Sequence, residues 1–547
     1  MADVAGAVVA ALRAEGVGTM FGLLGEANLA IMLAARAAGI EWVAVRREDS
    51  AVAAADGYAQ GSNRLGVAIV SQGPALANTI NPLIGAAKGR TPLLLITGAV
   101  HPERRHEPQW LDQKTLIEGT GHVRYTRVDD AAKAPAVVAE AIGTAVNDGI
   151  PVVLEVPTWL QSEPTSSAVV PVPKQRSSVP QPAPTALDQL AARLAQAERP
   201  ILVAGRGAAH AGEELKTLAA RTGALLGVTL PQRGMFDGEP NAIGVVGGFA
   251  TARSRELMLE ADIIVVFGAG LNQFTLEGGA LMAGRPVVRV DVVESVHVPD
   301  GCRHELVLGD SAVVASALAA RLPSGFRPPW ARDADAPDEF VDLTDGNGLD
   351  LRTASRWLDE VLPYDRAVAV DLGYFTSEPC IHIGVRHPNR QAFTLHFGSI
   401  GLGLATAIGL SCAHPDLVTL AAVGDGGLMS ALQELETVAR LVLPIVIAVY
   451  DDDAYGVEIY ELQYRDQDIE PAVFPPVDFA AVARGLGIRA LTLRNTRDLD
   501  AARSAMRDLD GPLLLDLRLR RGVITRWYRN LVHPDFPDPT PRLENAV

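Results

Sequence analysis

The sequence predicts an α/β protein made of three doubly wound parallel-sheet domains. Its 547 residues exceed what one hydrophobic core organises and fit about three domains. Two Pro-rich stretches divide the chain: roughly 164–184, with six prolines among Ser, Val and Gln, and roughly 323–346, rich in Pro, Asp and Gly. Both read as linkers. The blocks they leave, 1–165, 185–325 and 350–530, each alternate short apolar runs with amphipathic segments. That alternation is the pattern of parallel sheets covered by helices.

The first block opens with a helix over 5–15, with Val8, Val9 and Leu12 on one face. Strands are expected at 19–22, 42–45, 66–71, 92–97 and 151–155. The middle block has strands at 200–204, 263–267 and 286–291, and the third at 367–371, 417–423, 444–450 and 512–518. After 417–423, Leu428, Leu432, Leu435 and Val438 recur at helical spacing. The segments Val67–Pro74 and Leu420–Gly426 echo each other as strand, small-residue turn and helix, so the first and third blocks are expected to share a fold. The tail after Val532 carries too many prolines for a helix or central strand and is expected to lie extended.

Composition narrows the function class. Hydrophobic residues make up 48% and charged residues 21%, ordinary for a globular enzyme. A net charge of −17 argues against nucleic acid or anionic membrane as partner. No run of eighteen apolar residues reads as a membrane span. Cys302, Cys380 and Cys412 are far apart and lack metal-ligand spacing, which fits a reducing cytoplasm. Met1-Ala2-Asp3-Val4 shows no basic region of a signal peptide.

The chemistry concentrates at strand ends of the third block. Val423-Gly424-Asp425-Gly426-Gly427 closes one apolar run, and Asp452 follows 27 residues later in Tyr450-Asp451-Asp452-Asp453-Ala454-Tyr455-Gly456, which closes the next. Two strand ends of one parallel sheet present carboxylates at the edge where such sheets bind ligands. Asp425 and Asp452 can share a hard divalent cation, and the glycines let backbone N–H groups approach a phosphate. Gly-Asp-Gly alone fits a plain turn; the pair in strand context is far more specific.

Three further segments join this pair. Arg47-Glu48-Asp49-Ser50-Ala51 leads to Ala55-Asp56-Gly57-Tyr58-Ala59, where Glu48 read alone is a helix N-terminal carboxylate. Ser71-Gln72-Gly73-Pro74-Ala75 runs to Asn78. Gly398-Ser399-Ile400-Gly401-Leu402-Gly403 precedes a small-residue helix, where the glycines alone fit close helix–sheet packing. Taken together and in this order, the segments resemble the thiamine-diphosphate enzymes of the pyruvate decarboxylase and acetohydroxyacid synthase group. The chain departs from that pattern at Asp451-Asp452, where Asn-Asn is usual, and at Arg47, Gln60 and Ala75.

The resemblance implies thiamine-diphosphate-binding folds for the first and third domains and a Rossmann-like middle domain. It implies Mg²⁺ held by Asp425, Asp452 and the Ala454 carbonyl, bridging the cofactor's diphosphate. Glu48 would bond the aminopyrimidine ring, the Gly398 carbonyl would accept from the 4′-amino group, and Ile400 would prop the cofactor into its bent form. Pro74, Asn78, Gly373, Gly424, Gly426, Gly427, Tyr455 and Gly456 complete the implied cofactor contacts. Glu26 and Glu458 match the positions of active-site acids in the decarboxylases; read alone, they are a helix N-terminal carboxylate and an exposed helix residue. Gln113 is a candidate substrate-side contact in the region where the decarboxylases carry a His-His pair.

Ala204-Gly205-Arg206-Gly207 and Phe267-Gly268-Ala269-Gly270 leave FAD or another nucleotide open in the middle domain, with an empty site favoured. The expected reaction is decarboxylation of a 2-oxo acid. The resulting acyl-anion equivalent then passes to an aldehyde or ketone acceptor, as in a carboligase, or is protonated to an aldehyde, as in a pure decarboxylase. A non-catalytic family member is the remaining reading, opposed by Glu48, Asp425 and Ile400. The family geometry also implies a homodimer, or a homotetramer as a dimer of dimers, with the active site at a subunit interface.

Overall fold

A computed structural model describes residues 2–173, 180–294, 296, 298–331, 337–507 and 509–533. The chain divides into two compact units, one holding the first and third sheets and the other the middle sheet.

In the first unit, the N-terminal sheet has strands β1 (Thr19–Gly22), β2 (Glu41–Ala44), β3 (Gly66–Ile69), β4 (Leu93–Thr97), β5 (Arg124–Arg127) and β6 (Val152–Glu155), in the order β2-β1-β3-β4-β6-β5. The third sheet is built from β13 (Arg366–Val370), β14 (Gln391–Phe393), β15 (Val418–Gly424), β16 (Ile445–Asp451), β17 (Arg489–Leu493) and β18 (Leu513–Arg518), in the order β14-β13-β15-β16-β18-β17. Every neighbouring pair in both sheets is parallel, and the two orders are the same permutation. The internal echo in the sequence is therefore a repeated topology. In each sheet the strand order reverses beside its first strand, and in the third sheet this switch point, where open α/β sheets bind ligands, falls at the carboxyl ends of β13 and β15.

One apolar core joins the two sheets, with Phe21, Val45, Val70 and Leu95 from one side and Ala369, Val423, Ile447 and Leu514 from the other. Between them lie helices α2 (Glu48–Ser62) and α3 (Gly403–Ala413), numbered after α1 (Val4–Ala14). Both are rich in Ala and Gly and buried around most of their circumference, as a helix with no polar face must be. Their crossing depends on two glycines. A Cβ on Gly57 would stand 2.1 Å from the Thr406 carbonyl oxygen, and one on Gly409 would stand 1.8 Å from that of Ala54. The two backbones meet, which only residues without a side chain allow.

The apolar repeat from Leu428 to Val438 predicts one helix, and the structure breaks it into α4 (Asp425–Ser430) and a second helix, Glu434–Leu441. Two glycines weaken the first turn of α4, and Ala431 leaves helical geometry at φ −122°, ψ 17°. The expected strands all form, within one or two residues. The sequence pattern does not foresee β5, β14, β17, Leu225–Val228, Ala242–Val245 and Glu305–Leu308, nor the two-residue pair Ala2–Asp3 and Pro164–Thr165. Of the six in the large sheets, all but Leu225–Val228 lie at a sheet edge. Arg-Tyr-Thr-Arg in β5 carries mixed polarity rather than an apolar run, and β14 is only three residues long, all of them buried.

In the second unit, β7 (Pro200–Ala204), β8 (Leu225–Val228), β9 (Ala242–Val245), β10 (Ile263–Phe267), β11 (Val287–Asp291) and β12 (Glu305–Leu308) form a parallel sheet in the order β9-β8-β7-β10-β11-β12. This is the Rossmann order. Its two Gly-rich turns abut each other: a Cβ on Gly205 would lie 2.5 Å from the Gly268 carbonyl oxygen and one on Gly268 would lie 2.4 Å from the Gly207 carbonyl carbon. Close backbone packing thus accounts for these glycines. The expected extended tail, from residue 534 on, lies outside the described residues, as do 174–179 and 332–336 of the two linkers. Among the described residues no helix is long and apolar enough to cross a membrane.

Candidate active site

β15 and β16 pair in parallel register with Gly424 opposite Tyr450. Gly-Asp-Gly and the acidic triplet therefore leave the sheet side by side. Asp425 opens α4, and its Oδ2 accepts a hydrogen bond from the Ala454 backbone N–H at 3.0 Å. Burial pushes the Asp425 carboxyl up to about 6; N–H groups of Gly426 and Ala454 oppose the shift and nearby Asp453 adds to it.

The three consecutive aspartates have different partners. Asp451 is fully buried and forms an ion pair with Arg518 of β18, directly across the β16–β18 ladder. The same guanidinium reaches Asp453 through its other terminal nitrogen. Asp453 takes a left-handed φ of 52°, which turns the chain between Asp452 and Ala454. Asp452 is half-buried beside Gly456, where a Cβ would come within 3.0 Å of its Oδ2. Burial raises the Asp451 carboxyl well above its ordinary range, and Arg518 opposes the rise.

Asp371, directly after β13, is fully buried. It accepts bonds from the N–H of Leu372 at 2.9 Å, the N–H of Gly401 at 2.9 Å and the Thr394 hydroxyl at 3.1 Å. Burial raises it to about 6 against these donors. It thereby ties the loop carrying Gly398 and Ile400 to the sheet. Gly398 has φ +86°, and a Cβ there would meet no atom within 4 Å, so its backbone borders open space; Ile400 is exposed. The other glycines serve neighbouring side chains. A Cβ on Gly426 would meet the Tyr455 ring at 2.5 Å, one on Gly427 would meet Asp371 at 2.6 Å, and those on Gly373 and Gly424 would meet Phe375 at 2.7 and 3.1 Å.

At the first sheet, Glu48 opens α2, and its Oε2 accepts a hydrogen bond from Asn78 Nδ2 at 3.0 Å. Asn78 caps the short helix that Pro74 begins, after Gly73 at φ 59°. Glu26 is exposed in the turn after β1, and Glu458 is exposed in the first turn of α5 (Gly456–Tyr464). Gln113 is buried. Its Oε1 accepts from Gly73 N–H at 2.8 Å, and its Nε2 donates to Gly98 O at 2.9 Å and Glu155 Oε2 at 2.6 Å. Its amide is thus committed to the interior, holding the Gly73–Pro74 turn.

The structure brings the expected residues together as two sets. Glu48, Asn78, Pro74 and Gln113 form one at the first sheet, and Asp425, Asp452, Ala454, Tyr455 and the 398–400 loop form the other at the third. Asp371 and Arg518 are not foreseen by the motifs. Their signal in the sequence is a charged residue ending an apolar run, at 371 and at 518. Two carboxylates with a main-chain carbonyl form an all-oxygen set that suits a hard cation such as Mg²⁺, and the space beside the Gly398 Cα is open. Among the described residues no three His, Cys, Asp or Glu side chains converge as a metal site.

Comparison with known proteins gives the same picture. The thiamine pyrophosphate enzyme family models match in three parts: the N-terminal TPP binding domain over residues 2–116, the central domain over 187–312 and the C-terminal TPP binding domain over 371–517. The large subunit of acetolactate synthase isozyme 2 of Escherichia coli (strain K12) is 26% identical, over 94% of this chain and 94% of its own. A Pseudomonas aeruginosa protein named probable 2-ketoarginine decarboxylase is 28% identical, over 94% of this chain and 93% of its own. Among solved structures, the thiamine diphosphate-dependent 4-hydroxybenzoylformate decarboxylase of Rhodococcus jostii RHA1 superposes with a TM-score of 0.77 at 21% identity, covering 95% of this chain and 99% of that one. The two sheets of one topology, the carboxylates at their strand ends and these matches lead to one conclusion: the chain belongs to the thiamine-diphosphate-dependent enzyme family.

Proposed function

We propose that this enzyme decarboxylates a 2-oxo acid, with thiamine diphosphate anchored through Mg²⁺. The acyl-anion equivalent then passes to a carbonyl acceptor or is protonated and released as an aldehyde. The observation that carries the reading is the pairing of strand ends that sets Asp425 against the Asp452–Ala454 turn, with the Ala454 N–H bonded to Asp425.

In this reading Asp425, Asp452 and the Ala454 carbonyl would hold the cation that anchors the cofactor. Bound thiamine diphosphate supplies the nucleophilic carbon and the electron sink that decarboxylation requires. Glu48, oriented by Asn78, holds or delivers a proton at a ring nitrogen of the cofactor. The Gly398 carbonyl and the Ile400 side chain would contact the bound cofactor. Glu26 and Glu458 are carboxyl groups within the two site-bearing turns, suited to position the substrate carboxylate and to donate a proton at the reacting carbon.

The two sets of residues are completed by a second copy of the chain, in a homodimer or a dimer of dimers, with Glu48 of one copy facing Asp425 of the other. Exposed apolar side chains at the site-bearing turns, Leu24 and Trp110 at the first sheet and Ile400, Phe397 and Tyr455 at the third, support such a contact.

Two fates share the decarboxylation. Relatives named acetolactate synthase support transfer to an acceptor. Glu458 in the first turn of α5, and the relative named probable 2-ketoarginine decarboxylase, support protonation. The test is carbon dioxide release from a panel of 2-oxo acids, with and without added aldehydes, in the presence and absence of thiamine diphosphate and Mg²⁺. Cofactor-dependent release from at least one acid is expected. Release from none would defeat the proposal, and aldehyde as the product under every acceptor would remove the transfer branch. The visible spectrum of the purified protein decides whether the middle domain carries FAD.

A further inference from the structure

The turn that carries Asp452 contains an unusual density of like charge. Asp425, Asp451, Asp452 and Asp453 lie on two adjacent strand ends, and Asp516 of β18 sits opposite Val449 on the same ladder. Consecutive acidic side chains at one sheet edge repel one another, and an anionic ligand arriving there meets the same repulsion. One cation from the sheet itself answers this. Arg518 pairs with Asp451 in register across the ladder, and its guanidinium forks so that one terminal nitrogen bonds Asp451 and the other bonds Asp453. Asp451 has no exposed side-chain surface, and only 17% of the Arg518 side chain is exposed. The clamp is therefore shielded from the screening that weakens surface pairs.

The geometry has a second consequence. With Asp451 and Asp453 both drawn to Arg518, and with Asp451 Oδ1 also accepting the Asp453 N–H at 3.1 Å, the residue between them is carried on a turn pinned at both flanks. The left-handed φ of 52° at Asp453 belongs to the same turn, which delivers the Ala454 N–H to Asp425. A lysine, a single point charge, cannot bridge both carboxylates in this way.

We infer that Arg518 is a positioning residue for the cofactor anchor. It neutralises Asp451, pins Asp453, and so presents Asp452 and the Ala454 backbone to the cation while lowering the negative charge that the diphosphate must approach. This rests on the thiamine-diphosphate reading above. Arg518 acts through the turn and does not itself touch the cofactor.

The test is calorimetric titration of thiamine diphosphate, at saturating Mg²⁺, into apoprotein of the full chain. It compares wild type, Arg518→Gln, Arg518→Lys and the double variant Asp451→Asn/Arg518→Gln, with apoprotein unfolding midpoints recorded for each. Arg518→Gln should bind about tenfold or more weakly, because a buried carboxylate is left unpaired beside the anion. Arg518→Lys should fall between it and wild type. The double variant relieves the unpaired charge of Asp451 but not the lost bond to Asp453, so it should bind more tightly than Arg518→Gln and less tightly than wild type. Should Arg518→Gln fail to fold, the double variant and the lysine variant still carry the test. Wild-type-like binding by folded Arg518→Gln, or a double variant that binds as weakly as the single one, would overturn the inference. Absence of binding by the wild type would instead overturn the cofactor reading on which it rests.

Discussion

Replacing Gln113 with Ala separates an interior strut from a substrate contact. The side chain makes three hydrogen bonds, to Gly73 N–H at 2.8 Å, Gly98 O at 2.9 Å and Glu155 Oε2 at 2.6 Å, and only 4% of the residue is exposed. Glu155 keeps the Tyr125 hydroxyl at 2.7 Å and Arg127 at 3.0 Å, so its charge stays paired after the change. The Gly98 carbonyl keeps only a long bond from the Thr97 hydroxyl at 3.3 Å, and the Gly73 N–H loses its side-chain acceptor outright. Leaving a buried polar group without a partner costs about 1–3 kcal/mol, so one such group plus two weakened acceptors place the loss at about 3 kcal/mol. Because Gly73 opens the helix that Asn78 caps, and Asn78 bonds Glu48, the turn should also slacken around Glu48. The assay is the urea midpoint of the apoprotein together with kcat and KM of the folded fraction. A lowered midpoint with kcat reduced more than KM is expected. An unchanged midpoint with a raised KM alone would refute the strut and restore Gln113 as a substrate contact.

Glu48→Gln should retain thiamine diphosphate binding and lose about 10²–10⁴-fold in turnover, the range of a general acid–base contribution; steady-state rates measured beside cofactor titration check this, and unchanged turnover would mean Glu48 is not the proton-handling group. Gly409→Ala, whose Cβ would stand 1.8 Å from the Ala54 carbonyl oxygen, should force α2 and α3 apart and destabilise the apoprotein by about 1–3 kcal/mol or more, read as a drop in denaturant midpoint. For Asp371 the sign follows from its native carboxyl lying at about 6, above the ordinary 3.8. Between those values the native state binds more protons than the unfolded state, so its contribution to stability falls as pH rises through that window and is fully lost above it, by about 2–3 kcal/mol. Apoprotein midpoints at several pH values should show a flatter profile for Asp371→Asn than for wild type; equal slopes would remove Asp371 as the source.

The site was legible wherever a residue's role depends on its place at a strand end. Asp425 and Asp452 follow apolar runs, and parallel neighbours put such residues at one edge, so the strand pattern alone brings them together. The same reasoning reached Glu48, at the start of the buried Ala-rich helix. It did not reach Asp371 or Arg518, although both close predicted strands, because their partners (Gly401, Thr394, Asp451 and Asp453) come from other segments of the chain. Nor could spacing tell that the glycines at 424, 426 and 427 answer to Phe375, Tyr455 and Asp371.

By itself, the sequence determined the alternation of strand and helix, the three-sheet α/β class and the order of chemically active turns, since these follow from local periodicity and from which residues can end a buried strand. Tertiary structure alone decided the edge strands, too short or too mixed in polarity to give an apolar run, and the split of the helix after Asp425. It also decided the partners of three consecutive aspartates. Identical side chains at adjacent positions are indistinguishable in a string; the pleat and the register opposite Arg518 make Asp451 a buried ion pair, Asp453 a turn residue pinned to the same guanidinium and Asp452 a candidate ligand.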